Sequence, residues 1–218
     1  MPTNTLTRMR RPLIALFAAL LLFVPALPAA AQWGEPVTDP ETGVTSWPEL
    51  DRQPAQHLDG TIEYPMVPPA GGPHNQVWQT CGVYTEPIHN EHAVHSLEHG
   101  AIWITYDPSL PAADIEQLAV LANQGYILVS PYPGQTDPVI ASSWGRQIRL
   151  TGVDDPRLEQ FIVEFRRNPA TAPEPNATCS LGITETMPEG ELPQQPSAEA
   201  EAPSSPASDV RNEYKEQN

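Results

Sequence analysis

The sequence has few basic residues and few cysteines, and it lacks internal repeats. Eleven lysines and arginines stand against 27 aspartates and glutamates, which gives a formal charge of −16 over 218 residues. This balance argues against a nucleic-acid partner, because phosphate binding depends on clustered positive charge. The two cysteines, Cys81 and Cys179, permit one disulfide at most. The uncharged apolar run at residues 13–27 is shorter than the helix that a membrane span requires.

The N-terminal residues have the order of a secretory signal peptide. Arg8, Arg10 and Arg11 precede the apolar run, and the small residues Ala29 and Ala31 follow it. We predict removal of residues 1–31 and export to the periplasm, the cell surface or the extracellular space. The paired arginines leave twin-arginine export open beside the general route. Membrane attachment would require that this segment stays uncleaved.

Composition divides the rest of the chain into three parts. Residues 32–56 are polar and contain prolines, so we predict an extended segment there. Residues 57–182 suffice for one globular domain of ordinary size. Residues 183–218 consist largely of Glu, Pro, Ser, Ala and Gln, which predicts a disordered acidic tail. Loss of residues 1–31 removes three arginines and no acidic residue, which leaves eight basic and 27 acidic residues and a charge of −19.

Hydrophobic periodicity predicts a strand, a helix, two strands and a second helix within the domain. The strands are expected at 101–106, 126–130 and 139–150, the last bent near Gly145, and the helices at 110–123 and 155–167. The turn between the second and third strands suggests that they form an antiparallel pair. This order favours an α+β fold, with a small mixed β-sheet and helices packed on one face.

Four of the six histidines lie in the eleven-residue run from His89 to His99. On a helix, one stripe of this run would carry its polar members, Glu91, His92, His95, Glu98 and His99. Asn90 is the expected N-cap, and Gly100 follows the expected helix end. Histidine spacings of three, four and seven bring imidazoles within reach of one ion. We therefore predict a metal site whose core pair is His95 and His99.

The remaining ligands of this site should come from outside the core pair. His74 and Cys81 are the expected partners from another segment, and His92 and Glu98 are second candidates from the same helix. Imidazoles with a thiolate suit copper, whereas imidazoles with a carboxylate suit zinc. Copper is slightly favoured because an exported protein meets it outside the cytosol. The cofactor expected from the sequence is thus a copper or zinc ion.

The two cysteines have competing interpretations. An exported chain with two cysteines is expected to form one disulfide, here Cys81 to Cys179, which would tie a C-terminal segment to the domain. In the alternative, Cys81 is a thiolate ligand beside the histidines, as in copper sites built from His and Cys.

Three functions remain open from the residues alone. The favoured one is an exported protein that stores, delivers or senses copper or zinc, with the metal ion and a second exported protein as its partners. In an alternative, residues 95–99 match the inverted zinc-peptidase signature His-x-x-Glu-His, in which Glu98 would activate a zinc-bound water. Such enzymes need a third ligand on a second helix and a large substrate cleft, so we favour a protein that is not an enzyme. In the third, an interaction domain binds no metal, and His57 and His74 bond to the backbone.

Six short motifs carry a family resemblance. They are Gly72-Pro73-His74-Asn75, Trp78-Gln79-Thr80-Cys81-Gly82-Val83-Tyr84, Val94-His95-Ser96-Leu97-Glu98-His99-Gly100, Ser130-Pro131-Tyr132-Pro133-Gly134, Trp144-Gly145-Arg146-Gln147 and the late Pro173-Glu174-Pro175 with Cys179. In these motifs the chain resembles the family known as domain of unknown function 3105, which occurs in exported or membrane-attached bacterial proteins. The resemblance implies one domain over roughly residues 57–179 and leaves the function to the chemistry of the site.

Overall fold

The computed structural model describes residues 33–52 and 56–194. The predicted signal peptide and residues 195–218 of the predicted tail lie outside the described residues. The elements within them are β1 (Val37–Thr38), β2 (Thr45–Ser46), β3 (Gly82–Val83), α1 (Asn90–Glu98), β4 (Ile102–Tyr106), α2 (Ala112–Leu121), β5 (Ile127–Pro131), β6 (Val139–Ser143), β7 (Arg146–Leu150) and α3 (Arg157–Phe165). In this part of the chain, no helix combines the length and apolar character needed to cross a membrane.

The strands form one mixed sheet in the order β1-β2-β7-β6-β4-β5-β3. Strand β4 lies inside the sheet and is buried along its whole length, as its β-branched and aromatic residues predict. It pairs in parallel with β5, which follows it across α2, and antiparallel with β6. Strand β3 adds to β5 in parallel, whereas the pairs on the other side of β6 are antiparallel. The predicted α+β fold with a mixed sheet is confirmed.

Each face of the sheet has its own hydrophobic core, because side chains alternate along the strands. Ile102 and Ile104 of β4 belong to a cluster that includes Leu118 of α2 and Phe161 of α3. Trp103 points to the opposite face and belongs to a cluster that includes side chains of α1. The two helices of the predicted strand-helix-strand-strand-helix order therefore share one face. The histidine-bearing helix α1 covers the other.

The pairing of the later strands differs from the prediction. The third predicted strand is a hairpin of β6 and β7, joined by a turn in which Gly145 adopts a φ of +68°. Strand β6 pairs with β4, so the predicted antiparallel pair of the second and third strands is wrong. The physical reason is that β5 lies between β4 and β3, so both of its edges are occupied. The open edge of β4 receives β6 instead.

Both segments that flank the predicted domain contribute to it. Residues 33–52, predicted as an extended segment, add β1 and β2 to the sheet beyond β7. Trp33 and Trp47 from this segment are buried in the core that contains α1. Residues 183–194, predicted as the start of the tail, also bond to the domain, for example at Gln194, whose carbonyl oxygen accepts the hydroxyl of a buried tyrosine. The folded unit is therefore larger than residues 57–182.

Helix α1 begins one residue earlier than its predicted cap implies. The N-cap is His89, which has extended backbone angles, and Asn90 is the first helical residue, so Asn90 as N-cap is wrong. At the other end, Gly100 adopts a φ of +87°, and its N–H donates to the Leu97 carbonyl at 2.9 Å. This turn satisfies an end carbonyl of the helix, as predicted for a glycine at this place. It leads α1 directly into β4.

A matched pair on α2 tests the packing of the sheet against its helices. Leu118 is 1% exposed and Val120 is 64% exposed on the same helix. We expect Leu118→Ala to lower the free energy of unfolding by about 2–5 kcal/mol, because it leaves a cavity in the core. We expect Val120→Ala to change it by less than about 0.5 kcal/mol. Urea unfolding followed by far-UV circular dichroism measures both, and equal effects would contradict this packing.

Candidate metal centre

The loop before β3 lies along α1 and is bonded to it through the main chain. The Asn75 N–H donates to the Glu91 carbonyl at 3.2 Å, and the Gln79 N–H donates to the His92 carbonyl at 3.0 Å. These bonds use backbone groups on both segments, so the loop has a defined position along the helix. They bring His74 against the C-terminal half of α1.

Three buried histidines each have Nδ1 bonded to a main-chain carbonyl oxygen. The pairs are His74 with Gly72 at 2.8 Å, His95 with Asn75 at 2.6 Å and His99 with Thr178 at 2.7 Å. Because a carbonyl oxygen only accepts, each Nδ1 carries the proton and donates it. In the neutral ring, Nε2 then presents a lone pair. Metal-binding histidines have this arrangement, in which an outer carbonyl fixes both the tautomer and the ring orientation.

The Nε2 atoms of three histidines converge on the Glu98 carboxylate. Glu98 Oε2 lies 3.0 Å from His74 Nε2, 3.7 Å from His95 Nε2 and 3.8 Å from His57 Nε2. The four ligand atoms all lie within 4.8 Å of one another. His74, His95 and Glu98 are buried, whereas the His57 side chain is 49% exposed. We call this set the His57 group.

Main-chain pairing places His57 in the cluster. The Leu58 N–H donates to the His74 carbonyl at 2.8 Å, and the His74 N–H donates to the Gln56 carbonyl at 2.9 Å, which makes a parallel bridge between the two histidines. The centroids of their rings are 4.9 Å apart. The His57 ring also stacks on His95 at 5.0 Å. An exposed loop residue thereby joins three buried ligand candidates.

His99 belongs to a second group that shares Glu98. Its Nε2 lies 3.7 Å from Glu174 Oε2, and the ligand atoms of Glu98, His99 and Glu174 lie within 4.8 Å of one another. His99 Nε2 is also 3.0 Å from His95 Nε2. When both rings are neutral with the proton on Nδ1, the two Nε2 atoms are both acceptors and no proton joins them. A cation beside these lone pairs would stabilise the contact.

Burial and charge set the protonation of the two central side chains. Burial lowers the pKa of His95 from the usual 6.5 to about 4, with a smaller contribution from His74 and His99. Burial alone would raise the pKa of the Glu98 carboxyl, but the hydrogen bond to His74 and the nearby imidazoles lower it below its usual value. Near neutral pH, His95 is neutral and Glu98 is ionised. These are the forms that bind metal ions.

The structure brings together four of the six predicted ligands, namely His74, His95, Glu98 and His99. His92 does not join them, because it lies one turn before His95 and its Nδ1 donates to the Val77 carbonyl at 2.5 Å. Cys81 is bonded to Cys179, so the predicted disulfide is present. The alternative role of Cys81 as a thiolate ligand is therefore wrong, because the sulfur is already used in the bond.

Spacing along the sequence does not predict His57 as a ligand and does not single out Glu174. Both reach the cluster through backbone contacts between distant segments, and the Glu174 N–H donates to the Glu98 carbonyl at 3.0 Å. One signal for Glu174 is its position five residues before Cys179, because the disulfide ties this segment to the loop next to α1. His57 has no comparable signal.

The fold and the cluster define a single α+β domain with a buried histidine and glutamate centre at the end of a helix. The family model of proteins of unknown function DUF3105 matches residues 56–181, which is more than half of the chain. The chain therefore belongs to this family. Comparison with curated proteins and with solved structures gives no match. The matched range contains every residue of the cluster.

The lowered pKa of His95 predicts a pH-dependent stability of the metal-free protein. Between pH 6.5 and about 4 the unfolded chain binds a proton that the folded protein does not, so stability falls as the pH falls through this window. The free energy of unfolding falls by about 3 kcal/mol at most across this window. Urea unfolding in EDTA at several pH values measures it. His95→Gln should flatten the dependence and His89→Gln should keep it, and identical curves would contradict the assignment.

The disulfide predicts a large difference in the free energy of unfolding between the oxidised and the reduced protein. It closes a separation of 98 residues, and Thr178, whose carbonyl holds His99, precedes Cys179. We expect the Cys81→Ser/Cys179→Ser variant to lose about 3–5 kcal/mol of unfolding free energy. Denaturant unfolding of the oxidised and the reduced wild type provides the comparison. The reduced protein should match the variant, and unchanged stability in both would contradict the prediction.

Proposed function

We propose that this protein binds a divalent transition metal ion, zinc or copper(II), in the His57 group. The observation that carries the proposal is which nitrogen of each buried imidazole ring carries the proton. The Nδ1 protons of His74 and His95 are both committed to carbonyl oxygens. The Nε2 lone pair of neutral His95 therefore faces the Glu98 carboxylate, and His74 Nε2 meets the same carboxylate through a contact that needs one further proton. A cluster built only for stability would place donors opposite the acceptors.

The distances support one ion among these donors. Ligand atoms that bind an ion at about 2.0–2.2 Å lie roughly 3–4 Å apart. The separations of Glu98 Oε2 from the three Nε2 atoms, 3.0 to 3.8 Å, fall in this range. The close contact between His74 and Glu98 is a hydrogen bond only while the pair retains a proton. An ion would replace that proton, so binding should release it.

The donor types narrow the choice of ion. Three imidazoles and a carboxylate suit zinc or copper(II). Copper(I) prefers thiolate and thioether sulfur, and the disulfide removes Cys81 from such a set. Met66, which has a thioether sulfur of the type that copper(I) prefers, is buried in the hydrophobic core. The preference for copper drawn from the compartment is therefore not supported by the ligands, and zinc is an equal candidate.

The geometry supports a carrier or store better than a peptidase. In the inverted zinc-peptidase signature, Glu98 would be a general base beside the metal and not a ligand. Its Oε2 instead lies within 3.8 Å of three imidazole nitrogens, where a ligand is expected. Among the described residues, the further donors come from loops, at His57 and His74, and not from a second helix.

The exposure of His57 supports exchange of the ion with a partner. A ligand whose side chain is half exposed can leave the ion and be replaced by a donor from outside, while the buried ligands keep the ion in place. The predicted signal peptide suggests that this exchange takes place outside the cytosol. The proposed role is thus storage or delivery of the ion to another exported protein, or sensing of its supply.

Metal retention tests the proposed function. We expect metal-free wild type to bind zinc in the His57 group and to keep it through gel filtration, as measured by inductively coupled plasma mass spectrometry. His95→Ala should weaken this binding by more than the roughly 10–100-fold loss that an outer hydrogen-bond partner causes. His57→Ala, at a half-exposed position, should also weaken it without loss of folding. Copper(II) should in addition quench Trp78, whose ring lies 5.7 Å from His95.

His89→Ala is the matched control for these variants. His89 is the N-cap of the same helix, makes no capping side-chain bond and lies outside both groups of ligand candidates. It should retain zinc as the wild type does. Failure of the wild type to bind either zinc or copper(II) would overturn the proposal, and so would equal retention by the wild type, His57→Ala and His95→Ala. Trp78→Phe should reduce the quenching and leave metal retention unchanged; part of the quenching should remain because the Trp144 ring lies 5.7 Å from His74.

A further inference from the structure

We propose that the chain holds a second divalent metal ion beside the first, ligated by His99 and Glu174 and bridged to the first ion by the Glu98 carboxylate. This inference rests on the proposed function, because the bridge requires an occupied His57 group. Two sets of ligand atoms, each within 4.8 Å of one another, have Glu98 as their shared member. A carboxylate has two oxygens and can serve one ion with each. Bridged ions in proteins lie about 3.5–4 Å apart.

His99 supplies the nitrogen ligand of the second position. It is 4% exposed, and its Nδ1–H is committed to the Thr178 carbonyl, so Nε2 presents a lone pair inside the cluster. His95 Nε2 lies 3.0 Å from His99 Nε2, but in the neutral ring it is also an acceptor, and it is directed to the first ion. The first ion already has four donors, which completes a tetrahedral shell. His99 is therefore available to a separate ion.

Glu174 is held at the second position by its own backbone. Its N–H donates to the Glu98 carbonyl at 3.0 Å, which fixes the segment against the end of α1. The disulfide at Cys179 fixes the same segment a few residues later. Glu174 Oε2 lies 3.7 Å from His99 Nε2, although its side chain is 58% exposed. In the neutral form of His99 its Nε2 is an acceptor, so a cation between this nitrogen and the Glu174 carboxylate would bind to both.

The two positions differ in ligand number and in access to solvent. The His57 group offers three nitrogens and one oxygen, whereas the second position offers one nitrogen and two oxygens and leaves a place for water. Sites with an open place exchange their ligands more readily than closed ones. Two carboxylates offset part of the repulsion between the ions, because each brings one negative charge. The second ion should therefore bind more weakly than the first.

Zinc stoichiometry tests the second position separately from the first. Metal-free protein is titrated with zinc chloride, and bound zinc is measured after equilibrium dialysis. We expect the wild type to bind two ions per chain in two phases, and Glu174→Gln to bind one ion with the tighter affinity. Glu164→Gln, an exposed glutamate of α3 on the opposite side of the sheet, should bind two. The His89→Ala/His92→Ala variant should also bind two, which excludes a site at the start of α1.

The outcomes separate the two proposals. One zinc ion per chain in both wild type and Glu174→Gln would overturn the second ion and leave the proposed function intact. No bound zinc and no bound copper(II) in the wild type would overturn both. The bridge has its own readout in the copper(II)-loaded protein, where coupled ions should give an electron paramagnetic resonance signal smaller than the copper content. A full signal from two bound copper ions would overturn the bridge.

Discussion

Three hydrogen bonds from histidine rings to main-chain carbonyls control the geometry at the end of α1. In His74, His95 and His99, the Nδ1–H is used by a carbonyl oxygen, so ring orientation and tautomer are set together. Two of these carbonyls lie in the loop before β3, and the third precedes a disulfide-bonded cysteine. Helix α1 by itself cannot form this centre. The centre depends on the packing of two further segments against the helix.

The cluster combines a favourable scaffold with an unfavourable set of polar contacts. The apolar side of α1, with Ala93, Val94 and Leu97, packs into the core beneath the sheet and stabilises the helix in place. Above it, a buried carboxylate and several imidazoles are desolvated, which costs free energy. The facing lone pairs of His95 and His99 add to that cost. Local conflicts of this kind are typical of functional sites, and a bound cation would offset them.

The proposed centre has buried ligands in its middle and exposed ligands at its edges. His57 lies at one edge and Glu174 at the other, and both side chains are about half exposed. The buried rings between them are rigid because their outer nitrogens are bonded to backbone. Rigid inner ligands favour a defined coordination geometry, and exposed outer ligands favour exchange. This division fits a protein that holds an ion and releases it to a partner.

The sequence by itself determined the α+β class, the helix that carries the histidines and the proximity of His95 and His99, because these follow from local periodicity and from the turn at Gly100. The sequence also indicated His74 as a candidate, through its motif, and the disulfide, through the predicted export of the chain. Only the tertiary structure decided that β6 pairs with β4, that His92 faces the loop, and that His57 and Glu174 lie beside the buried histidines and Glu98. These features arise from backbone hydrogen bonds between segments far apart in the chain, which leave no periodic signal in the sequence.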